Sequence, residues 1–418
     1  MTKATEAKEK TEQAEKDEKS DLAEIEDLMN ESLNGIKVEK VTDQNPGVLE
    51  MEENAENTYL INSIEDLIFL AYDVTNGNNY EGKTVKLELS LDFNSSKSYV
   101  DPFRTDYEKY GYNGSLKESI NENGFIPIGK VEQDKYGGEK ENLFSGTFDG
   151  NYNVIYNLKI AEDINITNQY YGIAMFSYNY GDIKNLGLED ASITINSNAD
   201  KYGSIAMLIG ENHGNIDNCY TTGIVIGNTS NYAINIGGIV GSNAGGIKQS
   251  YNLADINAIY DKNDNPLIEI RIGGIVGVNE TNGQLINVYN IGEITGNISY
   301  EENINTCNII GGISGKNLGS IKNAYSVGNI ISKKGINNRI GSIVGLIFES
   351  KGEENCYYLE NTVQMSNEEN VLCIVGEEKT SEQMKESKFL EELNSGNETN
   401  IWKIETNMNN GYPVLYWQ

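Results

Sequence analysis

The feature that most constrains the fold is a glycine-rich motif that recurs through residues 144–360. Its clearest copy, GGIVGSNAGGIKQSY, runs from Gly237 to Tyr251, and further copies start at Gly273 and Gly311. Equivalent asparagines and tyrosines in consecutive copies lie 31 to 38 residues apart. A period of this length predicts a stack of equivalent units, each of which contacts only its neighbours.

The residues of each copy favour short strands. Paired glycines and β-branched residues disfavour the helices that ankyrin and tetratricopeptide repeats require. Each copy predicts about three strands, in the clearest case around Ile239, over 247–251 and over 255–259. One coil cannot bury its own apolar face, whereas coils stacked about 4.8 Å apart share a continuous core. We therefore expect an all-β repeat fold, a parallel (right-handed) β-helix over residues 144–360.

Two side chains recur at equivalent positions of the predicted coils. The asparagines are expected to form hydrogen-bonded ladders near one corner. The tyrosines are expected to stack ring on ring within the solenoid wall, or alternatively to form a platform for sugar rings. The predicted ladder positions are Asn212, Asn243, Asn279, Asn317, Tyr220, Tyr251, Tyr289 and Tyr325.

The segments outside the repeats differ in composition. Residues 1–34 are rich in Ala, Glu and Lys and predict a charged N-terminal α-helix, which an acidic linker (35–57) follows. Residues 58–143 predict an N-terminal cap and first coils with a long insertion. Residues 361–418 predict a C-terminal cap that hides the last strand edges.

Two short helices are predicted within these flanking segments. Ser63 to Asp66 resemble a capping box and open a helix that ends near Val74. Residues 380–393 predict a second short, capped helix.

A formal net charge of −31 limits the partners of the chain. Such a charge repels nucleic acid and anionic membranes and suits a secreted surface. No stretch reaches the roughly 20 apolar residues of a membrane helix, and we expect a natural signal or anchor upstream of Met1.

The four cysteines of the chain are interpreted as free thiols, because they lack the spacing of zinc sites and of C-x-x-C motifs. They are Cys219, Cys307, Cys356 and Cys373.

Candidate catalytic residues are few. The single histidine, His213, is interpreted as a variable corner residue, because equivalent copies carry Tyr180, Ala244 and Leu318. One histidine excludes an H-E-x-x-H zinc site and disfavours a Ser–His triad. Asp149 is the best single candidate for a carbohydrate-active enzyme, but no second acidic position recurs beside it. We therefore expect no catalytic residue, no metal site and no cofactor.

The copies resemble the GLUG repeat of bacterial surface proteins, which include adhesins and the non-catalytic parts of IgA1-protease-type metallopeptidases. The resemblance covers residues 60–418, and the segments 144–158 and 402–415 are similar to those that flank such repeats. It implies a β-solenoid on a bacterial cell surface. Residues 2–12 resemble the segment after the hydrophobic helix of clostridial type IV prepilin-like proteins, although that helix and its processing site are missing here.

These observations predict a surface-displayed or extracellular structural or binding module, adhesin-like or pilin-like, that is not an enzyme. The expected ligand is a host or environmental glycan or protein, and other pilin-like subunits are expected partners of the N-terminal helix. Two alternatives remain open. One is a carbohydrate-active β-helix enzyme, either a polysaccharide lyase or a glycosidase, and the other is a purely structural filament or surface-layer subunit.

Overall fold

A computed structural model describes most of the chain after residue 56. The described ranges are 57–94, 124–133, 139–160, 172–197, 203–229, 234–260, 268–298, 306–334, 338–348, 352–365 and 370–418. The predicted N-terminal helix (1–34) and nearly all of the linker (35–57) lie outside these ranges, as does the segment that resembles prepilin-like proteins.

The chain enters the fold through short strands and one helix. The first elements are β1 (Thr58–Ile61), α1 (Ile64–Thr75), β2 (Thr84–Leu87), β3 (Leu91–Asp92), β4 (Lys130–Gln133), β5 (Glu139–Asn142), β6 (Thr147–Tyr156) and β7 (Lys159–Ile160). Helix α1 confirms the predicted cap, because Ser63 Oγ accepts a hydrogen bond from the Asp66 amide at 3.1 Å. Its apolar face belongs to the same buried core as the following coils.

A repeating set of strands follows. In chain order they are β8 (Gly172–Ile173), β9 (Phe176–Asn179), β10 (Asp182–Ser197), β11 (Gly203–Ala206), β12 (Ile209–Asn212), β13 (Asn215–Thr229), β14 (Ile234–Gly237), β15 (Val240–Asn243), β16 (Gly246–Asn252), β17 (Asp255–Tyr260), β18 (Ile268–Gly273), β19 (Val276–Asn279), β20 (Gln284–Asn290), β21 (Ile294–Ile298), β22 (Thr306–Gly311), β23 (Ser314–Asn317), β24 (Ser320–Ser326), β25 (Ile330–Lys333), β26 (Arg339–Gly341), β27 (Val344–Ile347), β28 (Glu353–Leu359), β29 (Val363–Met365), β30 (Val371–Leu372) and β31 (Glu377–Lys379). From β14 to β29 each coil contributes four strands, one more than the sequence predicted.

These strands pair in parallel between neighbouring coils and build three sheets. Sheet 1 has 16 strands, and its main path is β1-β2-β6-β10-β13-β16-β20-β24-β28-β31. Sheet 2 has seven strands, from β8 to β30, and sheet 3 has six, from β9 to β27. The chain is therefore a parallel β-solenoid with few helices, as predicted. Among the helices of the described ranges, none has the length and apolar character that a membrane crossing requires.

The paired glycines of the repeat form the tight corner between sheets 2 and 3. In the clearest copy, β14 ends at Gly237 and β15 starts at Val240. A Cβ atom on Gly238 would lie 2.2 Å from the carbonyl oxygen of Gly274 in the next coil. Since a side chain has no space there, this corner requires glycine.

Isoleucines stack in register inside the same corner. The amide of Ile239 donates to the carbonyl of Ile275 at 3.0 Å, and Ile275 donates to Ile313 at 2.9 Å. These three side chains, together with Ile343 of the following coil, are 0% exposed. Burial of each such side chain stabilises the fold by about 1.5–3 kcal/mol, so the column is a main part of the core.

The end of the chain differs from the predicted cap. Its elements are a 3-10 helix (Gln383–Lys385), α2 (Ser387–Asn394), β32 (Trp402–Lys403), a second 3-10 helix (Asn409–Gly411) and β33 (Val414–Leu415). The helix predicted over 380–393 is broken at Glu386, where the backbone is extended with ψ 154°. On the last coil Val371 and Ile374 remain 55% and 77% exposed, so β30 is not hidden. Lys379 of β31, in contrast, is 8% exposed and pairs with Glu392 of α2 at 2.9 Å.

We expect Ile275→Asp to unfold the coils around it, because an unpaired carboxylate would be buried in the isoleucine column. The expected loss of stability is about 4 kcal/mol or more. The matched control is Ile374→Asp, at a side chain that is 77% exposed, for which we expect a change within about 0.5 kcal/mol. Chemical denaturation followed by circular dichroism measures both; equal stability of the two variants would contradict the core assignment.

Candidate functional site

The four predicted asparagines lie in one continuous column at a corner of the solenoid. Each side-chain amide donates to the side-chain oxygen of the next at 2.8–2.9 Å, in the order Asn212, Asn243, Asn279 and Asn317. Asn179 donates to Asn212 in the same way and begins the ladder one coil earlier. All five side chains are at most 1% exposed. Because a buried amide without a partner costs about 1–3 kcal/mol, each rung stabilises its neighbours.

The four predicted tyrosines form a second column, on sheet 1 and outside the main apolar core. Their ring centroids are 5.0, 4.8 and 4.9 Å apart, with interplanar angles of 6°, 2° and 4°, in the order Tyr220, Tyr251, Tyr289 and Tyr325. Tyr357 continues the column by strand register. Stacked aromatic pairs of this kind contribute about 0.5–1.5 kcal/mol each beyond their buried area.

The C-terminal segment (380–418) lies along this tyrosine column. The Trp402 ring is 5.8 Å from Tyr289 and 5.6 Å from Tyr325, and its Nε1 donates to Asn287 Oδ1 at 2.9 Å. Phe389 of α2 meets Tyr357 edge to face at 5.1 Å.

The predicted capping role of residues 361–418 is not confirmed, and the path of the C-terminal segment along the column decides which tyrosines a ligand can reach. Tyr251, Tyr289, Tyr325 and Tyr357 are between 0% and 7% exposed. Most of the column is therefore covered and cannot form the sugar platform that was considered from the sequence. Only Tyr220, at the start of the column, remains partly exposed.

A second set of asparagines on sheet 1 was not predicted; they lie two residues before Tyr220, Tyr289, Tyr325 and Tyr357 and, one coil earlier, two residues before Gly187, while Gln249 takes this place before Tyr251. These asparagines have left-handed backbones with φ between 53° and 57°, a region that asparagine tolerates better than most residues: Asn185, Asn218, Asn287, Asn323 and Asn355. Asn218 donates to Asn185 at 3.1 Å and Asn355 to Asn323 at 2.8 Å. The signal was present in the sequence as a recurrent N-x-Y motif.

Asp149, the carboxylate considered for catalysis, lies at the start of this second set of asparagines. Its Oδ1 accepts hydrogen bonds from Asn185 Nδ2 at 3.0 Å and from the Asn151 amide at 2.9 Å. Lys184 Nζ lies 3.5 Å from its other oxygen. These contacts give Asp149 a structural role, holding the backbone turn that follows it.

That turn is a bulge in β6 that presents Tyr152 to solvent. Residues 150–152 oppose the single residue Asn185, because Asp149 pairs with Lys184 and Asn153 pairs with Leu186. Tyr152 has a left-handed backbone with φ 60° and a side chain that is 61% exposed. Such a conformation costs an aromatic residue about 1–3 kcal/mol, which the exposed ring does not regain through burial.

Tyr152 stands beside two other rings at the open end of the tyrosine column. Trp417 lies 6.4 Å from Tyr152 and 6.2 Å from Tyr220, with interplanar angles of 46° and 40°. Trp417 is fixed by its Nε1, which donates to the Gln249 carbonyl at 2.8 Å. The Tyr220 hydroxyl donates to Glu189, and this bond contributes, after burial, to raising the pKa of Tyr220. We call Tyr152, Tyr220 and Trp417 the aromatic patch.

The remaining candidates do not converge on a reactive centre. His213 lies at an exposed corner, where its ring stacks on Tyr180 at 4.4 Å and partial burial lowers its pKa. The four cysteines are free, and burial raises the pKa of the Cys219 and Cys356 thiols to about 12, which makes them weak nucleophiles at neutral pH. Within the described ranges, His, Cys, Asp and Glu form no group of three or more that could hold a metal.

Comparison with known proteins identifies relatives by structure. No family model and no curated protein matches the chain. A solved structure from Bacteroides ovatus, named as a candidate immunoglobulin A1 protease, matches with a TM-score of 0.53 and 22% identity, covering 86% of this chain and 93% of that one. Another, named IgA1 Protease, matches at 0.42 and 17%, covering 79% of this chain and 22% of its own length. The first likeness shows that the β-solenoid fold is shared.

The comparison corrects one prediction. From the sequence we expected that the chain is not an enzyme, whereas the Bacteroides ovatus structure that shares its fold is named as a candidate protease. The prediction of no enzymatic activity is therefore contradicted, and its reason is plain: a single histidine and isolated carboxylates exclude particular catalytic motifs, not enzymatic function as a class. The name of that structure does not favour the alternative of a carbohydrate-active enzyme.

We expect Trp402→Ala to detach the C-terminal segment from the tyrosine column without unfolding the coils. The change removes a ring that is 1% exposed and leaves Asn287 Oδ1 without its indole donor, at a cost of about 3–5 kcal/mol. Limited proteolysis with mass spectrometry should show new cleavages confined to residues 380–418. The control is Tyr416→Ala, at a side chain that is 60% exposed; identical cleavage of both variants would contradict the assigned packing.

Proposed function

We propose that the chain is a surface-displayed, extracellular binding module, adhesin-like in action, of an immunoglobulin A1 protease-like protein. The observation that carries this proposal is the aromatic patch. In it Tyr152, which has a strained backbone and an exposed side chain, lies beside Trp417 on sheet 1. Binding surfaces use tyrosine and tryptophan because these rings supply much contact area with few rotatable bonds.

The solenoid supports binding by holding the patch rigidly. The asparagine ladder and the tyrosine column link consecutive coils, and the second set of asparagines adds the bonded pairs Asn218–Asn185 and Asn355–Asn323. Trp417 is fixed against Tyr220 and Tyr251. A surface that is already ordered loses little conformational entropy when a ligand binds. The net charge of −31 directs binding away from nucleic acid and anionic membranes, towards neutral or basic ligands.

The extracellular setting is supported by resemblance and by the names of the neighbours. The repeats resemble the GLUG motif of bacterial surface proteins, and the neighbours are named after a protease that acts on immunoglobulin A1. We infer a host glycoprotein as the class of ligand. Assembly with pilin-like subunits through residues 1–34 stays a prediction from the sequence, because this segment lies outside the described ranges.

The test is direct binding of the full chain to immobilised immunoglobulin A1 and to other mucosal glycoproteins. We expect the double variant Tyr152→Ala, Trp417→Ala to lose affinity about tenfold or more, equivalent to about 1.4 kcal/mol. The matched control replaces Tyr180 and Phe348, two aromatic side chains outside the patch that are 45% and 58% exposed. Electrophoresis of the same incubations would detect cleavage of the heavy chain by this chain.

Thermal melting of each variant separates loss of binding from loss of folding. Absence of binding by the native chain to every glycoprotein would contradict the proposed function. Equal loss in the patch and control variants would contradict the assigned location.

A further inference from the structure

The turn that carries Tyr152 differs from the equivalent turns of the later coils in its backbone conformation. At the positions equivalent to the bulge, the later coils carry a single left-handed residue, as at Asn218 and Asn287, whereas β6 carries both Asn151 and Tyr152 in left-handed conformations. The extra residues lift Tyr152 out of the sheet, and Asp149 fixes the turn through the Asn151 amide. Strained backbone of this kind, held in place by its surroundings, is typical of ligand-binding positions.

The two outer rings of the aromatic patch are tilted relative to each other. Tyr152 and Trp417 lie 6.4 Å apart with their planes inclined by 46°, so they are not packed face to face. The inner side of Trp417 rests on Tyr251 at 5.8 Å and on Tyr220 at 6.2 Å. Trp417 is therefore packed against Tyr220 and Tyr251, and the largely exposed ring of Tyr152 lies beside it.

One carboxylate lies next to the Tyr220 ring of the aromatic patch. Glu189 accepts a hydrogen bond from the Tyr220 hydroxyl and is partly exposed, so that its carboxylate keeps capacity for further donors. Gly187, in the coil before Tyr220, leaves room for the Tyr220 ring, since a Cβ there would lie 2.5 Å from it. At Tyr220 the aromatic patch therefore combines a ring that Gly187 accommodates with one carboxylate that is oriented by the Tyr220 hydroxyl.

From this arrangement we propose that the aromatic patch binds a neutral saccharide, with one pyranose ring against Tyr152 and Trp417 and its hydroxyl groups donating to Glu189. This inference rests on the proposed binding function and names its ligand class. A pyranose ring presents C–H bonds on its faces, which aromatic faces attract because their π-electrons are negative, and hydroxyl donors at its rim. A net charge of −31 disfavours sialylated and sulfated sugars.

The test is a panel of saccharides bound to the full chain, followed by calorimetric titration of the best neutral ligand. We expect binding of neutral saccharides, with sialylated and sulfated analogues at least about tenfold weaker. Tyr152→Ala should weaken binding about tenfold, whereas Tyr152→Phe should retain it within about threefold, because the ring is kept. Tyr180→Ala, at an exposed tyrosine on another corner, should change nothing.

Tyr152→Ala also keeps the test independent of folding. It removes a ring that is 61% exposed and keeps the Cβ atom, so the backbone strain is unchanged and the melting temperature should stay close to that of the native chain. Failure to bind any neutral saccharide at 10 mM, a preference for anionic sugars or for a proline-rich peptide, or unchanged affinity of Tyr152→Ala would each overturn the proposal.

Deglycosylated glycoprotein separates this inference from the proposed function. If Tyr152-dependent binding to a host glycoprotein disappears after enzymatic removal of its glycans, the saccharide site is supported. If such binding persists, the saccharide inference fails while the binding module stands. If neither form of the glycoprotein binds, both fail.

Discussion

The structure depends on one constraint: in a parallel solenoid, each side chain sits about 4.8 Å above its equivalent in the next coil. A column of equivalent side chains is therefore favourable only where a residue can hydrogen-bond to, or pack against, a residue of the same type. Asparagine satisfies this by donating to itself along the column, tyrosine by stacking, and isoleucine by burying apolar surface. Charged side chains of one sign repel their equivalents at this spacing, so columns of like charge are disfavoured.

The same constraint explains where function can arise. Regular columns are filled and covered, as the asparagine ladder and most of the tyrosine column show. A ligand can be held only where a column ends or is interrupted. Both conditions meet at the aromatic patch, where the tyrosine column stops at Tyr220 and the bulge of β6 adds Tyr152. The C-terminal segment contributes Trp417 from the far end of the chain and so completes the site.

Period and residue type made the repeats and the ladder positions predictable. Asn243 and Tyr251 have equivalents in the neighbouring copies of the repeat, and equivalent residues of consecutive coils stack into columns. The second set of asparagines carried a signal as well, N-x-Y, but its left-handed backbone is visible only in the fold. The positions of Trp402 and Trp417 could not be predicted, because their rings pack against tyrosines that come together only in the folded solenoid. The bulge at Tyr152 opposes local propensity, since an aromatic residue disfavours positive φ.

The claim that stacked corner residues hold neighbouring coils together is tested most directly by a double-mutant cycle on Asn243→Ala and Asn279→Ala, measured by chemical denaturation. Their side chains share a hydrogen bond of 2.9 Å, so the account predicts a coupling energy of about 1 kcal/mol. Asn212 and Asn317 belong to the same ladder without touching, and for them the account predicts coupling below about 0.5 kcal/mol. If the effects of Asn243→Ala and Asn279→Ala on stability add to within about 0.5 kcal/mol, these stacked side chains do not hold the neighbouring coils together.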